Sequence, residues 1–115
     1  MRIEIMLTLR GYPQFYGVLN WNLPVLPQKG DVVSSQLISR AFEPLKIYEK
    51  LNKKDKDSWD KEKVECENYG FYDDESEKEC LKGFLSDRNA LEVDYTAWGY
   101  FADWGEYPCI YINEL

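Results

Sequence analysis

Two runs near the N-terminus alternate apolar and polar residues with a period of two, which belongs to half-buried strands rather than helices. In the first, Ile3, Ile5, Leu7 and Leu9 share one face, and Arg2, Glu4, Met6 and Thr8 share the other. Gly11-Tyr12-Pro13 then reads as a turn. In the second run Phe15, Gly17, Leu19 and Trp21 alternate with Tyr16, Val18, Asn20 and Asn22, so the two are expected to form a hairpin. The first run also argues against a signal peptide, because Glu4 interrupts it and no small-residue cleavage site follows. No apolar run is long enough to span a bilayer. A cytoplasmic location is the expectation.

Pro24, Pro27 and the turn at Lys29-Gly30-Asp31 end the second strand and lead into a third apolar stretch, Asp31 to Ile38. Its Pro-x-x-Gly-Asp-Val-Val start is common before strands of small barrels but is too short to assign a family. The period then changes. Pro44 suits the first turn of a helix, where its missing N–H costs nothing, and Leu45, Tyr48 and Leu51 recur at three-residue spacing. Residues 52–57 are polar and mixed in sign, as in a solvated loop or frayed helix end. Over 58–72, Val64 and Cys66 alternate with Lys63, Glu65 and Glu67 as in an edge strand, although Gly70 is also suited to cap a helix.

Ser76-Glu77-Lys78-Glu79 has the spacing of a capping box. Cys80, Leu81, Phe84 and Leu85 follow on one face, which predicts a core-facing helix over 75–87. The acids Asp73, Asp74, Glu75 and Glu77 complement the positive end of its dipole. They lack the alternating ligands, glycine and terminal glutamate of an EF-hand loop, so no calcium site is expected. Residues 91–101 and 107–112 read as two further strands joined by a loop over 102–106. On the first of these, Leu91, Val93, Tyr95, Ala97, Gly99 and Phe101 should share a face, with Glu92, Asp94, Thr96, Trp98 and Tyr100 on the other.

The expected architecture is one compact α+β domain over residues 1–115. Its antiparallel sheet is built from the N- and C-terminal strands, with about two helices from the central segment packed on one face.

Functionally, the composition excludes more than it includes. The chain has no histidine, which removes Ser-His-Asp and Cys-His catalysis. Cys66, Cys80 and Cys109 form no CxxC pair and are odd in number, so neither a zinc motif nor a disulfide framework is expected. The glycines never cluster into a phosphate-binding loop. No cofactor and no metal are expected. The net charge of −7 is uneven: residues 1–42 carry +2, residues 43–89 carry −4, and residues 90–115 hold five acids and no base. Without a basic stripe, nucleic-acid binding is disfavoured.

The segment that stands out is C-terminal, where Asp94, Trp98, Tyr100, Asp103, Trp104 and Glu106 set aromatic planes beside carboxylates. Such a mixture suits a cation, a stacked sugar, or a protein partner anchored on Trp and Tyr. A plainer reading packs Trp98 and Tyr100 into the sheet or against helices, as strand aromatics usually are. The expectation is a non-catalytic protein that engages a basic protein partner through this surface. A small-ligand or carbohydrate-binding domain is the alternative, and a hydrolase using Asp94, Asp103 and Glu106 the third reading. The carboxylates have no recognisable catalytic spacing. Neither nucleic acid nor membrane is expected as a partner, and the sequence carries no signal for oligomeric state.

Overall fold

The N-terminal alternation builds a hairpin. In a computed structural model, which describes residues 1–101 and 105–115, β1 (Arg2–Thr8) pairs antiparallel with β2 (Phe15–Asn20), with Ile5 opposite Gly17. Ile3, Ile5, Leu7, Leu9, Phe15, Leu19 and Trp21 are all buried, as the period requires. Gly11 turns the chain with φ 82°, a conformation glycine adopts without a Cβ penalty, and the Tyr12 N–H donates to the Leu9 carbonyl.

The remaining strands are β3 (Val32–Val33), β4 (Leu91–Phe101) and β5 (Gly105–Glu114). The five lie in the order β2-β1-β5-β4-β3. The sheet is mixed rather than antiparallel, because β5 inserts beside β1 in parallel, with Ile5 opposite Ile110 and Leu7 opposite Ile112. Alternation reports which face a residue takes and nothing about strand direction. Burying Ile110 and Ile112 beside Ile5 and Leu7 satisfies the pattern in this orientation.

Four helices occur among the described residues, where about two were expected: α1 (Ser35–Ser39), α2 (Pro44–Tyr48), α3 (Lys53–Asn68) and α4 (Asp74–Ser86). The third apolar stretch is strand only at Val32–Val33 and then turns into α1, which brings Ile38 into the core. Pro44 opens α2 as expected, but the buried residue is Ile47 while Leu45 faces solvent.

The largest departure is α3, which occupies residues expected as loop and edge strand. The Asn52 side chain accepts from the Asp55 N–H at 2.8 Å, starting the helix. At the other end Gly70, at φ 94°, closes a Schellman turn in which the Phe71 and Gly70 N–H groups donate to the carbonyls of Cys66 and Glu67. Only Trp59 and Cys66, seven residues apart, are buried on this helix. So sparse a stripe leaves the helical period almost unreadable.

The α4 helix forms close to its expected bounds, but the capping box does not. Asp73 takes the N-cap position at φ 55° without a side-chain cap bond, and Ser76 lies inside the first turn, buried, with its hydroxyl donating to the Asp73 carbonyl at 2.8 Å. Glu79 instead pairs with Lys82 at 3.1 Å.

The α3 helix packs on α4, and α1 and α2 also contact α4. Ile38, Trp59, Cys80, Leu81 and Leu85 join the inward face of the sheet in one apolar cluster. Gly17 sets how closely the chain after α1 approaches the sheet. A Cβ there would fall 2.4 Å from the Ala41 carbonyl oxygen and 2.8 Å from the Phe42 ring, while the neighbouring Val18 N–H donates to the same carbonyl. Gly17→Ala is therefore expected to cost about 2–3 kcal/mol, because backbone must move to admit the methyl group. Denaturant unfolding measures this, and an effect below about 0.5 kcal/mol would show that the Ala41–Phe42 turn is not seated on β2.

Candidate interaction surface

The outward residues of the sheet follow from its register. Glu4, Met6 and Tyr16 alternate with the core positions of β1 and β2, while Cys109 and Tyr111 are opposite Glu4 and Met6 on β5. On β4 the expected single face breaks. A register shift between Val93 and Tyr95 lets β4 take one extra residue against β5. Leu91 and Val93 therefore lie in the core, whereas Tyr95, opposite Tyr111, is 48% exposed. The rings of Tyr95 and Tyr111 stack with centroids 4.2 Å apart and an interplanar angle of 14°.

A carboxylate sits among these tyrosines. Glu4 is only 6% exposed, and the Tyr16 hydroxyl donates to its Oε1. Burial, and then the bond to Glu4, push the Tyr16 phenol up to about 12, so it remains a neutral donor. Tyr107 is raised in the same direction by burial and by Glu4. The outer face thus carries four tyrosines, Tyr16, Tyr95, Tyr107 and Tyr111, beside a carboxylate, whereas the apolar cluster formed with the helices lies on the inner face.

Of the residues singled out by composition, Asp94 is exposed and lies where the β4 register shifts. The backbone register places Trp98 opposite Pro108 and Tyr100 opposite Glu106. Gly105 and Glu106 belong to β5 rather than to the connecting loop. Asp103 and Trp104 lie outside the described residues.

A second polar assembly was not foreseen. Arg88, just beyond α4, donates from Nε to Glu114 Oε1 at 2.9 Å and from Nη2 to the Arg10 carbonyl at 2.8 Å, and its Nη1 lies 3.6 Å from Asp55 Oδ2. Its guanidinium lies over the rings of Tyr12 and Phe84, at 5.5 and 5.4 Å from their centroids. The Tyr12 hydroxyl hydrogen-bonds Asp55, and the Arg10 and Asn89 N–H groups donate to Glu114. Burial alone would raise the Glu114 carboxyl. These N–H donors and Arg88 outweigh it and hold the group below its ordinary value.

A cleft of about 360 Å³ opens beside this junction, with Asp55, Trp59, Cys80 and Arg88 among its walls. Asp55 and Arg88 are committed to each other and to the scaffold. Cys80 is buried, and that burial pushes its thiol up to about 12, away from the thiolate; burial raises Cys66 beside it as well. Glu114, held ionised, is the reverse of a general acid. Among the described residues no group of three or more potential ligands is arranged to hold a metal, and no helix is long and apolar enough to cross a membrane. Compared with protein-family models, curated proteins and solved structures, the chain gives no significant match.

Proposed function

We propose that the protein is a non-catalytic binding domain that engages a basic protein partner through the outer face of its sheet and the β4–β5 ribbon. The observation that carries this reading is the tyrosine-bearing face around Glu4, which stands outside the apolar cluster on the helical side. Tyrosine supplies a large, rigid contact area with a polar tip, which is why it anchors protein interfaces. In sequence, residues 90–115 carry five acids and no base, a balance that favours a cation-rich partner. Of the main clefts, one lies beside the helices and two open at the sheet edges next to Tyr16 and Tyr95, which suits an extended macromolecular contact better than an enclosed small ligand.

The test begins with affinity capture from the native host and identification by mass spectrometry, followed by binding kinetics. Raising salt from roughly 50 to 500 mM is expected to slow association at least tenfold, because the screening length falls to a few ångströms. Tyr95→Ser should speed dissociation without unfolding the protein, since it removes an exposed ring. A partner indifferent to both changes would overturn the reading.

A further inference from the structure

Among the described residues, the outer edge of β4 is paired over only a short part of its length. β3 contributes Val32 and Val33, paired to Glu92 and Leu91, and the chain before β3 adds two bonds at Val93, whose carbonyl accepts from the Gly30 N–H and whose N–H donates to the Asp31 carbonyl. Beyond the register shift, β4 stays paired with β5 on its other side for seven consecutive residues, from Tyr95 opposite Tyr111 to Phe101 opposite Gly105. That stretch, Tyr-Thr-Ala-Trp-Gly-Tyr-Phe, contains no charge and no proline. Exposed edges are normally blunted by those two devices, because an unblunted edge is a template for another strand. Here the register shift follows the last contact with the β3 segment, at Val93, and the pairing of β4 with β5 is regular from Tyr95 onward. Where β3 stops, a notch of about 350 Å³ separates the edge from the preceding loop, lined by Leu26, Pro27, Gln28, Lys29, Tyr95 and Thr96.

We infer that β4 takes an extended segment of the partner protein as an added strand along residues 95–101, with one of its side chains in the notch beside Leu26 and Pro27. The inference rests on the binding reading above and supplies its mode: main-chain hydrogen bonds give affinity and the notch gives selectivity. Charge selects the occupant. Asp31, Glu92 and Asp94 stand at the end of the edge where the notch opens, against Lys29 alone, so a segment with basic residues flanking an apolar, β-branched centre fits. A second copy of the chain fits worse, since it would bring the same acids and another net charge of −7 to the contact.

The test uses the intact protein and a synthetic ten-residue peptide of alternating valine and threonine with two lysines at each end. Saturable shifts of the Tyr95 and Ala97 amide resonances, together with those of Leu26 and Lys29, are expected in the submillimolar range. N-methylation of alternate peptide amides should weaken binding at least tenfold, and exchanging the lysines for glutamates should weaken it by a similar factor. No saturable shift at residues 95–97 up to millimolar peptide, or equal binding of the N-methylated peptide, overturns strand addition. Self-association of the protein alone with protection of the same amides would overturn the choice of occupant. If the captured partner instead perturbs Met6, Tyr16 and Tyr111 and leaves the edge unchanged, strand addition fails while the binding reading stands. A partner that perturbs neither surface overturns both.

Discussion

Replacing Trp59 by alanine is expected to lower the unfolding free energy by about 4 kcal/mol, the range found when a buried aromatic is truncated in a core that cannot collapse around the gap. Trp59 is 3% exposed, and its ring lies 5.5 Å from Tyr48 and 6.2 Å from Phe84, centroid to centroid. Its Nε1 donates to Glu77 Oε2 at 3.1 Å, which ties α3 to α4, and the Cys80 thiol contacts its carbonyl. Glu77 would keep its ion pair with Lys63 at 2.7 Å, so the loss is chiefly one of packing. For a domain of this size the melting temperature should fall by roughly 15 °C. Val64 supplies the contrast. It lies on the same helix but is 57% exposed, and Val64→Ala should change stability by less than about 0.5 kcal/mol. Equal losses at the two positions would mean that α3 presents a different face to the core.

The Arg88→Ala variant is expected to lose about 3 kcal/mol at pH 7, because truncation leaves the Glu114 carboxylate, whose side chain is 4% exposed, without its cation. Arg88→Lys should recover little, since an ammonium cannot reach Glu114, Asp55 and the Arg10 carbonyl with one planar fork. The pH dependence has a definite sign. Glu114 titrates lower in the folded protein than its ordinary 4.5. Its contribution is therefore complete above that ordinary value and disappears as pH falls through the lower folded value. The gap between wild type and Arg88→Ala should accordingly hold above pH 4.5 and narrow as pH falls below it in denaturant titrations. A gap that stays constant as pH falls would assign the loss to the stacked guanidinium over Tyr12 and Phe84 and not to the ion pair.

Several elements were legible because their signals are local. Ile3, Ile5, Leu7 and Leu9 could take only one face of a strand, Pro44 has a fixed φ that suits a first helical turn, and Cys80, Leu81 and Leu85 keep helical spacing and are buried. The errors are equally specific. Ser76 has the spacing of a cap, but Asp73 takes that position and Ser76 turns into the first turn. Val64 and Cys66 alternate like an edge strand, yet belong to a helix with two buried residues.

The candidate surface was only half readable. The C-terminal acids and aromatics drew notice as composition, but Glu4, Tyr16 and Tyr111 come together only when β1, β2 and β5 lie side by side. A single extra residue at Asp94 then turns Tyr95 away from the core, and period-two counting cannot detect it because the shift exists only relative to a partner strand. The Arg88 junction was hidden for the same reason, since it joins residues up to 104 positions apart.

By itself the sequence determined which residues of β1 and β2 face inward, where glycine and proline bend the chain, and that α4 has an apolar stripe. Those features follow from backbone sterics and side-chain period acting over a few residues. Only the tertiary structure decided that the segment carrying Trp59 is helical, that β5 runs parallel to β1, that β4 shifts register, and which residues share the outer face of the sheet. Each of these is settled by burial and hydrogen bonding between segments distant in the chain, and those terms outweigh the small local preferences of a polar, sparsely patterned stretch.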